Sequence, residues 1–129
     1  MLGKKVGLIC LVGVILCGTG IALAAAVKVE LAPYPAASPI EPQASGRMVL
    51  NYAKGADKTV VQLNCWGLMP ESEYTVYLSP DSGITWENIG TFTTRKNGTG
   101  NLHVALPGDR SGDLPAVNNA ANETVLLGS

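Results

Sequence analysis

The residues that could do chemistry are few and scattered. His103 is the only histidine in the 129-residue chain. Cys65, Met69 and His103 are soft or borderline metal ligands, but a blue-copper centre needs two histidines beside its cysteine. Their spacing fits no structural zinc pattern either. Asp109 with Asp113, and Glu71 with Glu73, are the close carboxylate pairs. Both lie in predicted loops, where water solvates them. "GDRSGD" offers oxygen ligands for weak calcium binding, with fewer carboxylates than such loops use. No Gly-x-Ser-x-Gly is present to build a serine nucleophile. The expectation is a chain with no catalytic, cofactor-binding or metal site, and not an enzyme.

The elements that must position these residues are strands. "RMVLNYAK" alternates, with Met48, Leu50 and Tyr52 on one face. "KTVVQLNCWGL" places Val61, Leu63 and Cys65 on one face and Val60, Gln62, Asn64 and Trp66 on the other. "EYTVYLS" turns Tyr74, Val76 and Leu78 inward and Thr75 and Tyr77 outward. "TWENIG" and "TFTT" continue in extended form. "NLHVAL" groups Leu102, Val104 and Leu106, leaving His103 on the opposite face, and "ETVLLG" supplies a last strand. Period two with β-branched and aromatic residues predicts half-buried strands. "KGADK", "RKNGTGN" and "LPGDRSGDLP" supply turns, and Asn97-Gly98 is a hairpin pair. No internal repeat is visible. The expected fold is all-β, an antiparallel sandwich of about six or seven strands over 47–129.

Two stretches resemble known motifs. "GLMPESEYTVYL" is similar to the corner of fibronectin type III and immunoglobulin-like domains, through Leu68, Pro70 and Tyr74, with Val76 following. The resemblance implies that the Tyr74 hydroxyl bonds upstream backbone. A wider series, "GLMPESEYTVYLS", "GTFTT" and "NGTGNLHVAL", resembles small exported β-domains of prokaryotes. "SPDSGITW" resembles the Asp-box of sialidase blades, through Ser79, Asp81, Gly83, Thr85 and Trp86. That likeness implies a structural turn: Asp81 caps, Gly83 permits, Trp86 packs back. It implies no sialidase, because a propeller needs at least about four four-stranded blades and the chain is too short.

The N-terminus predicts export. "MLGKK" is basic, and the 22 residues from Val6 to Val27 carry no charge. The run ends in "IALAAAV", which permits cleavage after Ala24 or Ala26. Residues 1–26 are therefore a signal peptide or, uncleaved, an apolar helical membrane anchor with Lys4 and Lys5 inside. Residues 27–46, with Pro33, Pro35, Pro39 and Pro42, read as an extended Pro-rich linker. Cys10 and Cys17 lie in the leader, so Cys65 has no intramolecular partner beyond it and is expected as a buried small hydrophobe.

Charge and surface residues narrow the partners. From Val27 onward seven Lys and Arg face ten Asp and Glu, a net charge near −3 without a basic cluster. Nucleic acid is therefore not an expected partner. Asn97 and Asn122 head sequons that accept a glycan in a glycosylating host, or else serve plain turns. The expected role is a secreted or membrane-anchored surface module that is structural or adhesive, meeting a cell-envelope protein or glycan. The alternative is a carbohydrate- or ligand-binding module using exposed Trp66, Tyr77 or Trp86.

Overall fold

A computed structural model describes residues 25–129, and no helix occurs among them. Residues 1–24 of the expected leader, and with them the expected apolar helix and membrane span, lie outside the described residues; Ala25 and Ala26, its last two residues, already belong to β1. Eight strands form one antiparallel, nearly closed sheet: β1 (Ala25–Pro33), β2 (Ser45–Ala53), β3 (Lys58–Trp66), β4 (Glu73–Ser79), β5 (Glu87–Thr93), β6 (Gly100–Pro107), β7 (Leu114–Asn118) and β8 (Thr124–Gly128). Their order is β5-β4-β7-β8-β1-β2-β3-β6.

The alternation of side chains sets the burial. In β3 every second residue, Thr59 through Cys65, is buried, and the residues between them face solvent. One slip of register would exchange the two sets, so the pattern holds β3 against β2 and β6. Met48, Leu50, Val61, Leu63, Val76, Leu78, Val117, Val125 and Leu126 form the centre of the core. Tyr74 stacks on Phe92 at one end, with ring centroids 5.6 Å apart. Leu102, Val104 and Leu106 are half-buried against this core, and His103 is exposed.

The strand count exceeds the expected six or seven because the presumed linker enters the sheet. Ala25–Leu31 pair with β2, and Leu31–Pro33 pair with β8. Residues 27–33 are therefore a central strand. The prolines begin only at its end, and "VKVEL" before them alternates freely. Averaging proline over 27–46 concealed this. Leu31 is 3% exposed, which commits β1 to the core. Only the connection of residues 34–44 remains outside a strand, and Ser45 already begins β2.

The Asn97-Gly98 turn is also placed differently. Gly98 N–H donates to Arg95 O at 3.0 Å, closing a tight turn. The strands it joins, β5 and β6, are the two free edges of the sheet and share no ladder. Side chains close the gap between them. A Cβ on Gly100 would lie 2.5 Å from the Phe92 ring, and one on Gly90 would lie 3.0 Å from Leu102. These glycines let the edges approach where hydrogen bonds do not join them.

Candidate functional site

The loop between β4 and β5 is built from the Asp-box residues. Ser79 Oγ donates to Asp81 Oδ1 at 2.8 Å and accepts Gly83 N–H at 2.7 Å. Asp81 Oδ1 also accepts Thr85 N–H at 2.8 Å, and Asp81 Oδ2 accepts the Thr85 hydroxyl at 2.6 Å. Both carboxylate oxygens are engaged within the loop. The Thr85 hydroxyl, its N–H and the Ser79 hydroxyl hold the Asp81 carboxyl down at about 2. Gly83 sits at φ 99°, a conformation side chains rarely adopt. The Trp86 ring lies beside Gly83, 3.6 Å from where a Cβ would stand, and remains 40% exposed.

Trp86 also faces outward onto the sheet. Tyr77 projects from β4 on its solvent side, and Ala116 is its neighbour on β7. Together with Asn118, Asn122 and Thr124 they line a surface groove of about 220 Å³. The small Ala116 lowers the floor between aromatic and amide walls. The amides are ordered by a directed chain. Thr124 Oγ1 donates to Asn118 Oδ1 at 2.8 Å, and Asn118 Nδ2 donates to Asn122 Oδ1 at 3.0 Å. Among the described residues, no carboxylate, ammonium or guanidinium lines the groove.

The corner residues lie at the opposite end, between β3 and β4. Met69 N–H donates to Tyr74 Oη at 3.0 Å. The hydroxyl in turn donates to the Glu41 carboxylate, 2.9 Å from both oxygens. Burial, then the Glu41 bond, pushes the Tyr74 hydroxyl up. Leu68 is buried beside it, and Pro70 is exposed. Glu41 escaped the sequence reading, because nothing in its spacing points 33 residues ahead to Tyr74.

The remaining candidates are dispersed. Cys65 is buried, and desolvation pushes its thiol up to about 12. Glu71 and Glu73 are exposed. Asp109 is exposed and accepts from the Ser111 hydroxyl and N–H, which hold its carboxyl below the usual carboxylate range. Asp113 departs from expectation: it is buried rather than solvated, and Arg110 covers it while also reaching Glu87 at 2.9 Å. The "GDRSGD" carboxylates thus serve their own loop. Among the described residues no cluster of three His, Cys, Asp or Glu side chains could hold a metal. Trp66 is exposed on β3 and stands apart from Tyr77 and Trp86. Asn97 accepts from Thr99 in its turn, while Asn122 lines the groove.

Of the residues singled out in the sequence, the fold brings Tyr77, Trp86 and Asn122 together. It adds Ala116, Asn118 and Thr124, which no motif marks. Outward-facing Tyr77 was legible from alternation, whereas its neighbours on β7 depend on strand order. Compared with known proteins, the chain matches no family model and no curated sequence.

Proposed function

We propose that the chain is an exported or surface-anchored, non-enzymatic β-sandwich module of the immunoglobulin-like kind, with a structural or adhesive role. The strand order supports the sandwich reading. It separates β5-β4-β7-β8 from β2-β3-β6, with β1 between them. The connections β3–β4, β5–β6 and β6–β7 each pass from one group to the other, as Greek-key crossings do. The Tyr74 corner secures the first of these crossings.

One observation carries the non-enzymatic reading. The polar side chains with a catalytic look are spent on the fold: Asp81 on Ser79 and Thr85, Tyr74 on Met69 and Glu41, Asp113 on Arg110. The groove beside Trp86 is aromatic-walled, and its lining among the described residues is uncharged. Such a site binds without activating a proton or a nucleophile. The same groove favours the alternative, a carbohydrate- or ligand-binding module of the cell envelope.

The basic, then apolar, then small-residue N-terminus supports export. The full chain with a C-terminal tag, expressed in bacterial cells, provides the test. Added protease should remove the tag from intact cells or spheroplasts without lysis. Protection of the tag until lysis would overturn the extracytoplasmic placement.

A further inference from the structure

We propose that the groove between Trp86 and the β7–β8 turn binds one ring of a neutral saccharide displayed by another molecule. This rests on the binding reading of the groove given above. Four features point to that ligand class. First, two aromatic side chains, Tyr77 and Trp86, offer faces to which the C–H side of a sugar ring packs. Second, the polar wall is amide and hydroxyl, and no charged group among the described residues lines the groove, which disfavours phosphates, carboxylates and cations. Third, the volume of about 220 Å³ suits a single ring rather than a drug-sized ligand.

The fourth feature is preorganisation. Thr124 donates to Asn118, and Asn118 donates to Asn122. This directed chain leaves the Asn122 Nδ2 as a donor at one end and Thr124 Oγ1 lone pairs as acceptors at the other. Sugar hydroxyls both give and accept, so adjacent hydroxyls match both ends. Trp86 follows directly on Thr85, which is tied to Asp81 through its N–H and its hydroxyl. Holding the aromatic wall in place before binding lowers the ordering cost of complex formation. The Asp-box therefore acts as a positioning device for Trp86, remote from any hydrolysis.

The test uses the full chain carrying Trp66→Phe, so that Trp86 is the sole tryptophan reporter. Its fluorescence is followed while glucose, galactose, mannose, N-acetylglucosamine and their short oligomers are added at millimolar concentration. At least one should give a saturable change. By calorimetry on the otherwise unchanged chain, Trp86→Ala and Tyr77→Ala should each weaken that binding at least about tenfold, which is about 1.4 kcal/mol. Trp86→Phe should retain part of it, and thermal unfolding should establish that each variant is folded. Trp66→Phe alone should leave affinity unchanged.

No saturable change across the panel would overturn the proposal. So would binding that survives in folded Trp86→Ala. Asn122 heads a sequon, so intact mass is measured on protein from a glycosylating host. A sugar found attached to Asn122 and filling the groove would overturn an external ligand. Failure here leaves the extracytoplasmic module standing, because protease accessibility reads that separately.

Discussion

Asp81 illustrates how a residue that looks chemical becomes structural. A carboxylate that accepts from Ser79 Oγ, Thr85 N–H and Thr85 Oγ1 is stabilised in its charged form. Its folded value, about 2, lies below the ordinary carboxylate value of about 3.9. The sign follows from linkage. A depressed folded value contributes stability that is fully present above pH ~4 and is lost as pH falls toward 2. Asp81→Asn should therefore lower the melting temperature at neutral pH. The gap between variant and parent should narrow as pH drops through that window. A gap that stays constant with pH would show that the charge is irrelevant to the loop.

At the scale of elements, β1 decides where the domain begins. A linker would tolerate any polar residue at 31, whereas Leu31 is buried between β2 and β8. Leu31→Ala should cost about 2–5 kcal/mol, the usual range for a buried leucine. Urea unfolding measures it. A change within about 0.5 kcal/mol, as for an ordinary surface position, would return 27–46 to the role of a stalk. With β1 in the sheet, the stretch outside a strand before β2 shrinks to residues 34–44. Alternation in "VKVEL" was present in the sequence. Its partners in the register lie 15–27 residues ahead on β2 and 93–97 residues ahead on β8, beyond the reach of any local pattern.

The described residues form a nearly closed sheet, and among them the one thiol in the core is Cys65. Desolvation keeps that thiol protonated, up to about 12, so it is a poor nucleophile while the sheet is intact. Cys65 sits in β3 between β2 and β6, so exposing it requires the sheet to open. Iodoacetamide labelling of the Cys65 peptide, read by mass spectrometry, should be negligible in the native protein. It should rise with denaturant along the global unfolding curve. Fast labelling under native conditions would mean that β3 opens locally.

Period-two alternation, broken by short turns with no helical stretch between them, determined that the described residues are antiparallel β. It also marked Met48, Leu50, Val61, Leu63, Cys65, Val76 and Leu78 as core, because a strand's two faces are written in adjacent residues. Short motifs determined the turn chemistry of Ser79 to Trp86 for the same reason: Asp81 and Thr85 are four residues apart, and the loop closes on itself. The tertiary structure decided what depends on distant residues. It turned the Asn97-Gly98 hairpin into a passage between two free edges, tied Tyr74 to Glu41, and buried Asp113 under Arg110. It also set Tyr77 beside Ala116 and Asn118, since strand order and not spacing chooses cross-strand neighbours. The groove exists only because β4 pairs with β7, a pairing governed by core packing across the whole sheet.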